Sequence, residues 1–107
     1  MSWEIIYYSN KVMDWIDVMP LGMRAYYVRI TERLIKMGPN LGMPFTRAMG
    51  DGLFELRIKA KEGISRVFYC TIKNKKIVIL HGFIKKSQQT PGKELKIAKK
   101  RMKEVIL

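Results

Sequence analysis

Leu53-Phe54-Glu55-Leu56-Arg57-Ile58-Lys59, then Ile64 to Ile72 (ISRVFYCTI), then Lys76 to Ile84 (KIVILHGFI), alternate in side-chain character with a period of two. That alternation is the mark of a strand, and the segments between are turn-sized, so the stretch reads as a three-strand antiparallel meander. Asn74-Lys75 fits a two-residue hairpin turn, because Asn tolerates positive φ at the first turn position. The turn sets Cys70 opposite Ile79, Phe68 opposite His81 and Arg66 opposite Phe83. A loop over Ala60 to Gly63 sets Arg57 opposite Arg66 and Glu55 opposite Phe68. One face then carries Glu55, Arg57, Lys59, Arg66, His81, Phe83 and Lys85. The other carries Phe54, Leu56, Ile58, Val67, Tyr69, Val78, Leu80 and Ile84, a continuous apolar stripe that helices must cover.

Upstream of the meander, Trp3 to Tyr8 is β-branched and aromatic and suits a strand. Ser9 offers an N-cap for a helix through Met19, with Val12, Trp15, Ile16 and Met19 on one stripe, and Pro20 ends it. A longer helix follows, its apolar positions Met23, Tyr27, Ile30, Leu34 and Met37 recurring at helical spacing until Gly38-Pro39 stops the run. Its opposite flank, Arg24, Arg29, Arg33 and Lys36, reads as a solvated face. Residues 38 to 52 are rich in Gly, Pro and Asn and read as a loop. Downstream, Thr90-Pro91 is an N-cap and first-turn pair, and Leu95, Ala98, Met102 and Val105 mark a closing helix. The expected fold is α+β over residues 1–107, in the order β-α-α-β-β-β-α, with an antiparallel sheet, two N-terminal helices on one face and a C-terminal helix.

Composition agrees with a single domain, since 107 residues at 48% apolar content close one core and leave no room for two. Lys and Arg number 21 against 9 acidic residues, a net charge of +12. Almost all of this excess lies beyond residue 38. So large an imbalance suits a polyanionic partner. No apolar run approaches the roughly 20 residues of a bilayer span, and Met1 to Glu4 lacks the pattern of a secretion signal. One Cys and one His cannot form an internal disulfide or a four-ligand zinc site of those residue types. The expectation is a cytoplasmic protein that works without a metal or other cofactor and has no membrane partner.

The basic face points to phosphate. Arg57 and Arg66 as direct cross-strand neighbours repel one another at a cost of a few tenths to about 1 kcal/mol, so stability alone does not ask for the pair. Glu55 neutralises part of the charge, but Arg57, Lys59, Arg66 and Lys85 leave an excess that a phosphate or an acidic peptide would complete. Arginine suits the task because its planar fork offers paired donors to phosphate oxygens. His81 is either a structural residue or an acid–base group beside the cluster. Phe83 is either ordinary sheet packing or a platform for an RNA base. Lys86 continues the charge, and Lys99, Lys100, Arg101 and Lys103 on the closing helix are either a solvated flank or a non-specific contact to RNA.

Three stretches together carry a resemblance: Gly50-Asp51-Gly52-Leu53-Phe54-Glu55-Leu56-Arg57, Ser65-Arg66-Val67-Phe68-Tyr69, and His81-Gly82-Phe83-Ile84-Lys85-Lys86-Ser87-Gln88-Gln89-Thr90-Pro91. In order and spacing, with the LGMP loop at Leu41 to Pro44, the chain resembles the phage-derived Gp49-like, HigB-type branch of the RelE/ParE toxin superfamily. The resemblance implies a toxin of a type II toxin–antitoxin pair, a ribosome-dependent endoribonuclease that cuts messenger RNA without metal. In the family reaction the ribose 2′-hydroxyl attacks the adjacent phosphate, expels the 5′-oxygen and leaves a cyclic phosphate. That chemistry needs a base, cations for the crowded phosphorane and an acid for the leaving oxygen.

Carried over by motif, Arg57 and Arg66 stabilise phosphate charge and Lys59 and Lys85 orient the backbone. His81 is the acid–base candidate, with Glu55 as the fallback. The resemblance also implies a cognate antitoxin, a small DNA-binding protein, together with messenger RNA on the ribosome and ribosomal RNA as partners. Some RelE-like toxins use a C-terminal tyrosine in proton transfer, whereas residues 84 to 107 contain neither Tyr nor His. If His81 turns to the core, a Lys of lowered pKa is the alternative proton carrier. Two other readings share the scaffold: a ParE-like toxin that poisons DNA gyrase, and a non-catalytic RNA-binding module.

Overall fold

The computed structural model describes residues 2–86 and 91–106. Its elements are β1 (Glu4–Tyr7), α1 (Asn10–Asp17), α2 (Leu21–Met37), β2 (Thr46–Gly50), β3 (Leu53–Ala60), β4 (Gly63–Ile72), β5 (Lys76–Lys85) and α3 (Gly92–Ile106). Ser9 caps α1 as expected, its Oγ accepting from the Val12 N–H at 3.3 Å. Glu62 supplies the cap that Pro20 cannot give α2, accepting the Gly22 N–H at 2.8 Å. Thr90, the expected cap of α3, lies outside the described residues.

The five strands lie in the order β1-β5-β4-β3-β2, which corrects the expected sheet in two ways. Residues 46–50, read as loop, form the edge strand β2. Asp51 and Gly52 take positive φ (55° and 87°) in a two-residue turn that folds β2 onto β3, with Gly50 opposite Leu53 and Arg47 opposite Glu55. The sheet is also mixed rather than antiparallel, because β1 runs parallel to β5, Ile5 against Ile77 and Tyr7 against Ile79. The chain leaves β1 through two helices instead of a hairpin, and a strand so connected is free to pair in parallel.

In the meander the register of β3 on β4 is as expected, with Arg57 opposite Arg66 and Glu55 opposite Phe68, although Ala60 already pairs with Gly63 and the loop is shorter. Between β4 and β5, Asn74 and Lys75 take positive φ (64° and 55°). Phe68 meets His81 and Arg66 meets Phe83. Nearer the turn the ladder slips by one, so Cys70 faces Val78, not Ile79, and Leu80 stands without an opposite number. This β-bulge turns consecutive side chains toward one face. Val78 and Leu80, expected under the N-terminal helices, therefore lie under α3, and Ile77 and Ile79 take their place. Arg101 of α3 meets the bulge, donating from Nη1 to the Leu80 carbonyl at 2.8 Å while its guanidinium lies over the Tyr8 ring.

Both sheet faces are thus covered. Val12, Ile16, Met23, Tyr27 and Leu34 pack on Leu56, Ile58, Val67, Tyr69 and Ile79 on one side, each fully buried side chain contributing about 1.5 to 3 kcal/mol. On the other, Ala98 and Met102 pack on Leu53, Phe68, Cys70, Val78, Leu80 and Phe83. α3 thus packs on part of the face that carries the basic residues. Met37 and Ile84, expected in the core, are exposed. The helices of the first layer are fixed to β5 at Gly82, where an added Cβ would run into the Trp15 ring. We expect Gly82→Ala to force α1 off the sheet and to cost about 1 to 3 kcal/mol by overpacking, read as a lowered urea midpoint at unchanged slope.

Candidate nucleic-acid interface

The basic residues converge on the same sheet face, beside the part on which α3 packs. Cross-strand pairing of Arg57 with Arg66 places two guanidinium groups side by side on the centre of the sheet, and Glu55, one step along β3, lies between their charges. Its Oε1 accepts from Arg57 Nη1 at 3.0 Å and stands 3.8 Å from Arg66 Nε. The Glu55 and Arg66 side chains are only 1% and 6% exposed, whereas Arg57 is 23% exposed. Arg66 was expected on an open surface. It sits instead on the central strand between Arg57 and Phe83, with Nη1 donating to the Ser65 carbonyl at 3.3 Å and Nε buried without a hydrogen-bond partner among the described residues.

A buried cation without full compensation is costly. Burial, and next the Arg57 charge, pull the Arg66 pKa below the usual arginine value, against the pull of Glu55. Lys85 belongs to the same field. Desolvation and then Arg66 lower its pKa, with Arg57 and Arg47 adding to the effect and Glu55 opposing it. Arg47 went unnoticed in the sequence because residues 38–52 read as loop. The available signal was the Asp51-Gly52 dipeptide, a hairpin turn that would have made its flank a strand. Beside the pair is a cleft of about 250 Å³ lined by Arg57, Lys59, Ile64 and Arg66 of β3 and β4 together with Tyr26 of α2 and Met43 and Pro44 of the loop before β2.

His81 shares the face but not the cleft. In the ladder it stands opposite Phe68, two pairs beyond Arg66 and Phe83. Its Nε2 lies 2.7 Å from Glu94 Oε1 on α3, and it borders a separate cleft with Lys11, Trp15 and Arg101. Phe83 is buried against α3, its ring stacked 6.0 Å from Phe68 and 6.5 Å from His81. A ring so enclosed serves packing and has no face free for a base, which corrects the stacking role considered for it. Arg101 is likewise engaged at the bulge, whereas Lys59, Lys86, Lys99, Lys100 and Lys103 are exposed.

A family model described as Phage derived protein Gp49-like (DUF891) matches residues 14–103, all but the two ends of the chain. The chain belongs to the Gp49-like family. This is a RelE/HigB-like toxin family, and the α+β fold with three helices and a five-strand mixed sheet is consistent with it. At the family level the Gp49-like chain is a toxin of the toxin–antitoxin kind, which implies an antitoxin partner. No curated protein matches the sequence. Among the described residues, no helix is long and apolar enough to cross a membrane.

Proposed function

We propose that this Gp49-like toxin is a ribosome-dependent endoribonuclease that cuts messenger RNA through its own 2′-hydroxyl, with no metal in the reaction. The observation that carries the reading is the Arg57–Arg66 pair: two cross-strand guanidinium groups held by one carboxylate, Glu55, at the wall of a cleft. Such donors are fixed before the substrate arrives, so they act on a phosphorane without reorganising. In the reaction the 2′-oxygen loses its proton and bonds to phosphorus, the phosphorus–5′-oxygen bond breaks, the 5′-oxygen gains a proton, and a 2′,3′-cyclic phosphate remains. Arg57 and Arg66 hold the non-bridging oxygens, and Lys59 lines the approach of the backbone.

For the proton step we take Lys85 over His81. Desolvation, and next the Arg66 charge, lower the Lys85 pKa, while His81 lies 2.7 Å from Glu94 and borders a separate cleft. Glu55, the fallback, is buried between the arginines and serves to hold them. A lysine with lowered pKa supplies its neutral form nearer to neutral pH, so single-turnover cleavage on ribosomes is expected to rise with pH until Lys85 has lost its proton. Lys85→Arg should abolish that limb, because guanidinium stays charged.

Mapping transcript 5′ ends after induction tests the whole reading. New cuts spaced by codons are expected. DNA damage without cuts would point to gyrase instead, and RNA binding with a steep salt slope but no cleavage would leave only an RNA-binding module.

A further inference from the structure

We infer that Tyr26, on α2, forms with Met43 and Pro44 the subsite that takes the nucleobase next to the phosphate held by Arg57 and Arg66. The inference deepens the nuclease reading and rests on it for the identity of the phosphate. Its basis is the mixed chemistry of the cleft: about 250 Å³ lined by three cations of β3 and β4, with Ile64 beside Lys59 in the sheet, and by Tyr26, Met43 and Pro44 from α2 and the loop before β2. A nucleotide has a matching mixture, an anionic phosphate joined through a sugar to a flat, weakly polar ring. An acidic peptide would match the cations but not the aromatic ring, and a free phosphate would leave that ring without a partner.

On the cationic side Arg57 is 23% exposed and offers donors to a ligand, while Arg66 beside it is buried, its Nε 3.8 Å from Glu55 Oε1 and without a hydrogen-bond partner among the described residues. The apolar residues are held in place as well. Tyr26 is half-buried and packs against the first core, and the loop carrying Met43 and Pro44 is pinned where the Phe45 carbonyl accepts the Arg57 N–H at 2.8 Å. That bond ties the loop to Arg57, the partly exposed cation of the cleft. Phe83, the aromatic the sequence offered for this purpose, is enclosed under α3, so Tyr26 is the aromatic side chain of the cleft. Stacking on a tyrosine tolerates any base but favours some over others, so the residue bears on which sequences are cut as well as how fast.

Tyr26→Phe, Tyr26→Trp and Tyr26→Ala separate stacking from other roles. On ribosomes the Phe and Trp variants should cut within about threefold of the parent, while the Ala variant falls roughly ten- to hundredfold, the range that base–aromatic stacking spans. The Ala variant should also spread its cuts over codons the parent avoids, a change that a loss of folding alone does not produce. Equal losses in Phe and Ala would assign the role to the hydroxyl and overturn the stacking subsite. An Ala variant with the parent's rate and codon pattern would also overturn it, and would leave the nuclease reading intact.

If the parent cuts nothing on ribosomes, the nuclease reading falls and a binding arm decides the subsite alone. Titrating single-stranded 2′-O-methyl RNA into Tyr26→Trp should quench the indole at position 26 in an Arg57-dependent manner. No change in fluorescence attributable to that indole, judged against the parent's Trp3 and Trp15, would sink the proposal.

Discussion

Arg57→Ala is expected to lower cleavage on ribosomes by about a hundred- to a thousandfold, the effect of losing one preorganised donor to a transition-state oxyanion, and to relieve growth arrest on induction. The fold should survive. Arg57 is partly exposed and the buried Glu55 keeps Arg66 3.8 Å away as its remaining counter-charge, so the variant loses stability but less than one that strips Arg66 of Glu55. Arg57→Lys should recover only part of the rate, because an ammonium is a point charge without the paired donors of guanidinium. The comparison to make is the cleavage rate at matched stability, each variant checked by urea denaturation. A variant that melts like the parent and still arrests growth would remove Arg57 from the chemistry and leave it a surface cation.

Much of this geometry was legible in the sequence because hairpins fix register locally. The loop before Gly63 and the period-two stretches were enough to set Arg57 opposite Arg66. Arg66 meets Phe83 as expected only because the bulge at Leu80 offsets a turn one residue longer than the two-residue turn read at Asn74-Lys75, with Ile72 paired to Lys76. What failed was what depends on contacts between distant elements. The bulge at Leu80 leaves no mark in the alternation, since Val78, Ile79 and Leu80 are all apolar, yet it decides that Val78 and Leu80 face α3. The burial of Arg66, on a central strand beside Glu55, Arg57 and Phe83, is set by tertiary packing that the pattern alone does not show. The parallel pairing of β1 had no local signal either, for nothing between β1 and β5 resembles a hairpin. Tyr26 was invisible for the same reason: a helix position enters a cleft with two strands only once the layers are stacked.

The burial of Glu55 and Arg66 gives the largest expected change in stability. Glu55→Leu leaves the Arg66 guanidinium buried beside Arg57 without the carboxylate between them, and a buried charge stripped of its partner costs about 3 to 5 kcal/mol, a large share of the roughly 5 to 15 kcal/mol that holds a domain together. Arg66→Met alone should cost less, because Glu55 keeps its 3.0 Å bond to the partly solvated Arg57. The double variant should come back to near the parent's stability, since replacing a whole buried ion pair by apolar side chains is often neutral or favourable. Urea denaturation of all four proteins gives the coupling directly. The double variant also separates structure from chemistry: it is expected to fold and yet not to cut RNA, because the central phosphate donor is gone. If it cut RNA at the parent's rate, Arg66 would be a structural cation that happens to border the cleft. If Glu55→Leu were as stable as the parent, the carboxylate would not be what permits the two guanidinium groups to stand together.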